Sequence, residues 1–320
     1  MNKLSNPPVF QGSLNKKSYF EGWYLKCLSD DLSSCIAFIP GVSLGKDSHA
    51  FIQVNRSDNQ SEYIRFPLDT FSYEKDIFAV ALGNNFFSDR GIKLDCKRPG
   101  LSLFGELVFE NRQAFPSHFL SPGIMGIFTY IPFMQCYHGV VSMRHQVKGI
   151  LSINNKDYGF ENGTGYIEKD WGRSFPESWV WMQANPFQDS DSTFMLSVAK
   201  IPWMGMWFTG MIGFLNTGEK TYRFATYLGD SVSFLEEDDG GVYIHIKGPK
   251  YHLRVYGEFG EGGSLIAPVK GQMSRTMKES LNSTLHVELT DKRHNFLFRD
   301  TSHIAGLEIC GDVEKLGSSK

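Results

Sequence analysis

Apolar residues recur along this chain at every second position or in short unbroken runs, and Gly, Asn, Asp, Ser or Pro interrupts them every few residues. A period of two marks extended backbone, whose successive side chains point to opposite faces, and the interruptions mark turns. Before the middle of the chain, strands are predicted at Tyr19–Leu28, Cys35–Ile39, Ala50–Val54, Tyr63–Phe66, Ile77–Leu82, Leu101–Phe109 and Val140–Ile153. After it they are predicted at Ser178–Ala184, Thr193–Lys200, Trp207–Phe214, Thr221–Tyr227, Val242–Ile246, Tyr251–Tyr256, Leu285–Leu289 and Asn295–Phe298. Helical periodicity is scarce. No internal repeat is visible, and low complexity is confined to the polar tail Leu316–Lys320.

Composition turns this all-β pattern into an architecture. The 320 residues, 41% of them hydrophobic, can build one large core or two ordinary ones. Aromatic residues make up 14%, including 26 Phe, more bulk than two thin sheets need to cover each other. So many antiparallel strands must also hide their edges. The expectation is an all-β fold of two consecutive antiparallel lipocalin-like barrels with few short helices, residues 1–172 and 173–320.

Charge and cysteine usage exclude several function classes. A net charge of -3 and pI near 6.3, without a Lys/Arg cluster beyond a pair or so, argue against nucleic acid. Five scattered cysteines without a C-x-x-C pair suggest neither a disulfide framework nor a zinc site, and fit a reducing compartment. Met1–Phe10 has no apolar signal run, so residence in the cytoplasm is expected. No window reaches the ~18 apolar residues of a membrane span. The nearest, Phe119–Tyr137, is broken by Pro122, Gly123, Gly126 and Pro132 and reads either as a buried connection or as an apolar flap that touches a membrane or gates a cavity.

Familiar motifs fail on context. Gly41-Val42-Ser43-Leu44-Gly45 matches a nucleophile elbow, but another strand-like run, His49–Val54, follows it where a helix is required. Gly163-Thr164-Gly165 lacks the rest of a dinucleotide fingerprint, and no cofactor is implied. The nine histidines include no H-E-x-x-H, so no metal site is predicted. The acidic run Glu236–Asp239 before Gly240-Gly241 reads as a solvated hairpin tip rather than a calcium loop.

Gly163–Asn185, GTGYIEKDWGRSFPESWVWMQAN, carries candidate chemistry. On a strand, Tyr166, Glu168 and Asp170 share one face and Ile167, Lys169 and Trp171 the other; beyond a turn at Pro176, Trp179, Trp181 and Gln183 share a face. If Tyr166, Glu168 and Asp170 point inward, two carboxyls meet an aromatic interior, where a carboxylic acid can stay protonated near neutral pH and a developing cation can be stabilised by ring faces. The plainer alternative is solvent-facing carboxylates paired with Lys169 and Arg173 over an ordinary tryptophan core. Glu21 and Trp23 repeat the pairing in Tyr19–Tyr24, and alternation puts His138, Ser142 and Arg144 on one face.

These segments together resemble the tocopherol cyclase family: YFEGWY at Tyr19–Tyr24, SPGIMGIFTYIPFMQCYHGVVSM at Ser121–Met143, GYIEKDWGRSFPESWVWMQ at Gly165–Gln183, RFATY at Arg223–Tyr227 and AGLE at Ala305–Glu308. The resemblance spans nearly the whole chain and, given the short leader before Tyr19, points to a bacterial-type homologue. It implies a cofactor-independent enzyme that protonates the alkene of a prenylated quinol so that the phenol oxygen closes a chromanol ring. More distantly the chain is similar to carotenoid hydratases and other two-barrel lipocalin-like isomerases, whose Tyr-x-acid pair and upstream histidine fall on Tyr166, Glu168 and His138. Asp170 lies in the family's own motif and rivals Glu168 as the acid. His138 and Tyr166 would orient the acid or accept the phenol proton. Trp23, Trp171, Trp179 and Trp181 would wall the cation, although Trp171 lies on the opposite strand face from Glu168, and Glu21, Arg144 and Gln183 would complete the substrate site. The implied partner is an apolar small molecule, with a peripheral membrane contact and no nucleic acid. A non-catalytic carrier of an apolar isoprenoid is the rival function, and a structural role after loss of activity a third.

Overall fold

The computed structural model describes residue 3, residues 6–118 and residues 121–317. It is an all-β protein with two large antiparallel sheets. The first sheet takes β1 (Tyr19–Leu28), β2 (Cys35–Leu44), β3 (His49–Arg56), β4 (Ser61–Phe66), β5 (Phe71–Tyr73), β6 (Ala79–Leu82), β7 (Asn85–Ser88), β8 (Gly91–Arg98), β9 (Leu101–Gln113), β10 (Cys136–Ile153) and β11 (Lys156–Gly172). The second takes β12 (Trp179–Ala184), β13 (Thr193–Trp203), β14 (Met206–Asn216), β15 (Thr221–Ala225), β16 (Ser231–Glu237), β17 (Gly241–Lys247), β18 (Tyr251–Glu258), β19 (Gly262–Val269), β20 (Gln272–Asp291) and β21 (Phe296–Cys310). Among the described residues the helices are short, three 3-10 turns and an α-turn at Glu314–Gly317, and none is long and apolar enough to cross a membrane.

In the first sheet the strand order is β4-β3-β2-β1-β11-β10-β9-β8-β7-β6-β5, so the two outermost strands are consecutive in sequence. Ile64 and Phe66 of β4 and Phe71 of β5 belong to the same buried cluster as Trp23, Leu25 and Ile167 at the middle of the sheet. A sheet whose ends and centre share one core is curled on itself, and this one is barrel-like. The second sheet runs β15-β14-β13-β12-β21-β20-β18-β17-β16, with β19 on β20, around Val180, Met182, Leu196, Leu253 and Leu307. The compact units are the chain through Arg56 with Gln60–Phe175 and Leu265–Arg275, and Ser57–Asn59 with Pro176–Ser264 and the chain from Thr276 onward. Each is described by itself below.

Local chemistry sets the joints. Asn154 and Asn155 form the two-residue turn between β10 and β11 at φ 52° and 63°, a left-handed conformation that asparagine tolerates better than most side chains. Gly41, Val42 and Ser43 lie inside β2, without the strand-to-helix turn of a nucleophile elbow. Asp238 Oδ1 accepts from the Gly240 and Gly241 amides at 2.8 Å each, which closes the β16–β17 hairpin tip. In the apolar stretch before β10, Ile124 and Met125 are buried, Phe133 is 91% exposed, and Phe119 and Leu120 lie outside the described residues.

The structure adds β5, β7, β8, the first part of β11, β16, β19, the first half of β20 and most of β21 to the strands expected. In β8 and β20 alternate positions are buried, but charged or hydroxyl side chains on the other face mask the apolar signal.

Gly105 of β9 has φ +126°, and a Cβ there would stand 2.2 Å from the Ile150 carbonyl oxygen. Gly105→Ala is expected to destabilise the fold by about 2 kcal/mol or more, whereas Gly159→Ala, with nothing within 4 Å of the new methyl, should stay within about 0.5 kcal/mol of wild type. Urea unfolding of both variants checks this.

Candidate active site

Nine rungs pair β1 with β11, from Phe20↔Gly172 to Leu28↔Thr164, and the far side of β11 pairs with β10. Paired residues share a face, so the pleat of β11 sorts its side chains into two sets. Ile167, Lys169 and Trp171 lie with Leu25, Trp23 and Glu21 on the side of the first unit's core. Tyr166, Glu168 and Asp170 lie on the other side with Lys26, Tyr24 and Gly22. The acids therefore do not point into the barrel core, which aromatic and aliphatic side chains fill. Their face is nonetheless covered, since Tyr166, Glu168, Tyr24 and Lys26 are all buried.

His138 is paired with Asp170 across the β10–β11 ladder. Its Nδ1 lies 3.0 Å from Asp170 Oδ1, and its Nε2 lies 3.3 Å from Glu168 Oε2, off the line of a good hydrogen bond. Tyr166 Oη donates to Glu168 Oε2 at 2.7 Å, and Cys136 Sγ donates to Asp170 Oδ1 at 3.6 Å. One imidazole thus stands between two carboxylates. Burial works against its charge, but Asp170 and then Glu168 outweigh it and hold the His138 pKa well above its ordinary value. Burial, followed by the Glu168 carboxylate, raises the Tyr166 phenol well above the usual range, and burial with Asp170 does the same to the Cys136 thiol. The cluster is thus a buried imidazole between two carboxyl groups with a neutral phenol on Glu168, and 24% of the Asp170 side chain stays exposed at its other end.

The opposite face holds a different cluster. Glu21 is paired with Lys169 Nζ at 2.5 Å, accepts from the Gln11 and Gly12 amides at 2.8 and 3.0 Å, and accepts from Tyr19 Oη. Lys169 Nζ also donates to the Pro7 carbonyl at 2.9 Å and to that of Val9, and sits 4.8 Å from the ring centres of both Trp23 and Trp171. Trp23 Nε1 donates to the Pro8 carbonyl at 2.8 Å. Burial lowers the Lys169 pKa to about 8 against the pull of Glu21. Glu21, Trp23 and Trp171 are thus brought together with Lys169 around the segment Pro7–Gly12, on the strand face away from Glu168.

Alternation fails in β10, where register shifts fall between Val140 and Ser142 and between Ser142 and His145. Ser142 pairs with Ile167 on the core side, and its Oγ lies 3.0 Å from His145 Nδ1, so His138 and Ser142 do not share a face as the sequence pattern suggested. Arg144 is half-buried and pairs with Gln113 of β9. Burial drives the His145 pKa down to about 3.

Trp179, Trp181 and Gln183 belong to the second unit, on the β12 face turned away from that unit's core residues Val180 and Met182. All three are buried; Trp179 Nε1 donates to Glu308 Oε2 at 2.9 Å and Gln183 Nε2 to Asn185 Oδ1 at 2.8 Å. Sequence reasoning had not assigned Tyr24, Lys26 or Cys136 to the site. The same alternation along β1 sets Tyr24 and Lys26 on one face, but only the β1–β11 register reveals whose face that is.

One ligand atom each from His138, Glu168 and Asp170 falls within 4.8 Å of the others, close enough to suggest a metal. The imidazole, however, addresses the two carboxylates with different ring nitrogens, the arrangement of an imidazolium held between anions rather than of three ligands converging on one ion.

Imidazole nitrogen NMR should find His138 doubly protonated at neutral pH and His145 neutral well into the acid range. A raised folded pKa means that His138 contributes stability fully present below its unfolded value near 6.5 and lost as pH rises through the folded value. The stability gap between wild type and His138→Gln should accordingly narrow towards alkaline pH. His145 acts in reverse: the unfolded chain binds the extra proton between about 3 and 6.5, so stability gained there with rising pH is lost on acidification. On the other face, Lys169→Ala leaves Glu21 buried without its cation and should cost about 3–5 kcal/mol in denaturant unfolding. Lys169→Met with Glu21→Leu should recover much of that loss.

The family model described as tocopherol cyclase-like matches residues 114–311, which take in β10, β11 and β12. The "Probable tocopherol cyclase, chloroplastic" of Oryza sativa subsp. japonica is 25% identical over 51% of this chain and 37% of its own length. The "Tocopherol cyclase, chloroplastic" of Zea mays is 25% identical over 56% of this chain and 40% of its own. The matches therefore span about two fifths of those relatives. The crystal structure of CghA with Sch210972 shares the fold at 11% identity and a TM-score of 0.56, over 92% of this chain and 89% of that one. With more than half of its length matched by the family model, the chain belongs to the tocopherol cyclase-like family.

Proposed function

We propose that this protein is a cofactor-independent, acid-driven cyclase of a prenylated quinol or related isoprenoid. The observation that carries the reading is the His138 imidazole held between Glu168 and Asp170 on a covered sheet face, with Tyr166 bonded to Glu168. Such a group stores a proton away from bulk water, and an alkene, being a very weak base, needs a proton donor sheltered from competing water.

In this reading Glu168 delivers the proton. The proton adds to the less substituted alkene carbon and leaves a tertiary cation. The phenol oxygen of the same molecule attacks that cation, and its proton returns to the Glu168 carboxylate, so that product and substrate are isomers and the enzyme is unchanged. Asp170 holds His138 through Nδ1, and Nε2, 3.3 Å from Glu168, passes protons to and from the acid. Tyr166 keeps the Glu168 oxygen oriented, while the ring of Tyr24, paired with Glu168 across β1, offers a π-face to the cation at about 0.5–2 kcal/mol. The five cysteines are free, in keeping with a reducing compartment, and we assign the activity to the cytoplasm.

The test is incubation with a prenylated hydroquinone in D2O, followed by mass spectrometry and NMR. An isomeric product with one deuterium on the carbon next to the new ether carbon is expected, with kcat reduced about 10²–10⁴-fold in Glu168→Gln and more mildly in Asp170→Asn. A lipid recovered unchanged and bound equally by wild type and both variants would instead make the protein a carrier.

A further inference from the structure

The β13–β14 hairpin ends in Ile201-Pro202-Trp203-Met204-Gly205-Met206-Trp207-Phe208. At its tip Met204 is 88% and Met206 74% exposed, and Trp203 and Trp207 are 37% and 40% exposed. A lone exposed apolar residue needs no explanation, but four in one contiguous tip do. From Ile201 to Gly218 there is no charged residue.

Three features of this tip fit a lipid surface. The two strands pair with each other to their last rung, Trp203↔Met206, so the backbone groups that point across the hairpin are already bonded, and at interfacial depth headgroups and water can meet the outward-pointing ones. The turn residues Met204 and Gly205 have φ 48° and 82°. Asparagine, aspartate or glycine would hold the first of these positions with less strain, so methionine there spends conformational energy to present a long apolar side chain. Behind the thioethers come the indoles of Trp203 and Trp207. Behind those comes Lys200, with Nζ 5.1 Å from the Trp207 ring centre and 2.7 Å from Glu177 Oε2. Apolar tip, aromatic belt and charged collar are the layers of acyl chains, interface and headgroups met in order. The tip is convex, a hairpin turn rather than a groove that would receive a helix or strand.

We propose that the β13–β14 tip inserts into the interfacial layer of a lipid bilayer and anchors this protein peripherally to membranes. The inference is independent of the acid chemistry proposed above; an apolar substrate dissolved in the bilayer would be met where the protein docks.

The experiment is flotation of the full chain with phosphatidylcholine vesicles at low and high salt, alongside quenching of tryptophan fluorescence by brominated phosphatidylcholine. Wild type should float at both salt concentrations and be quenched, and Met204→Glu with Met206→Glu should lower the partition coefficient at least about tenfold. Because both methionines are exposed, that variant should keep the wild-type melting midpoint and far-ultraviolet circular dichroism. Wild type that stays in the aqueous phase, or a variant that floats equally well, overturns the proposal. So does a wild-type dimer in gel filtration that the substitutions split, which would make the tip a contact between copies.

Discussion

The first unit depends on β11 being paired on both sides in a fixed register. A strand that slips by one residue exchanges all of its faces. Here that slip would drive Glu168 and Asp170 into the aromatic core and turn Ile167 and Trp171 out of it. Nine rungs to β1 hold the register, and on the core side the Lys169–Glu21 pair locks the same two strands together. Because Lys169 stands between Glu168 and Asp170 in sequence, the lysine and the two acids are set by the same pleat.

The two faces solve the problem of buried charge differently. On the core side one cation meets one anion, and the remaining Lys169 donors go to backbone carbonyls and the π-faces of two indoles. That cluster is closed, since the Pro7–Gly12 segment supplies the partners that water would otherwise provide. On the other side one imidazole stands between two carboxylates, Asp170 at Nδ1 and Glu168 near Nε2, and these sustain on His138 a proton that burial alone would remove. The first arrangement is suited to holding a structure, and the second to holding a proton.

Family membership and fold likeness bear on different parts of this picture. Residues 114–311 contain His138, Tyr166, Glu168 and Asp170, so the proton-holding cluster lies within the stretch that defines the family, while Glu21 and Tyr24 precede it. The likeness to CghA, at 11% identity, concerns architecture. A barrel-like sheet can be kept with few shared side chains because its pleat and twist are properties of the backbone; the proton chemistry proposed above needs particular groups at particular rungs.

Much was legible in the sequence alone. Alternation is a local steric property of extended backbone, so it revealed an all-β chain and set Tyr166, Glu168 and Asp170 on one face with Trp171 on the other. The same pattern refused Gly41–Gly45 as a nucleophile elbow, because a strand-like run follows it, and read Glu236–Gly241 as a turn. Three matters waited for the tertiary structure. Which face of β11 meets the core depends on what packs there, and the acids proved to face away from it. The irregularities of β10 came to light only in its register with β11, and they separate Ser142 from His138. The meeting of His138 with Glu168 and Asp170 rests on the shifted register of the long β10–β11 hairpin, and that of Glu21 with Lys169 on a ladder between strands far apart in the chain. Periodicity carries the orientation of each side chain relative to its own strand, but the partner across the ladder is chosen by the packing of the whole sheet, and that choice made scattered residues into a site.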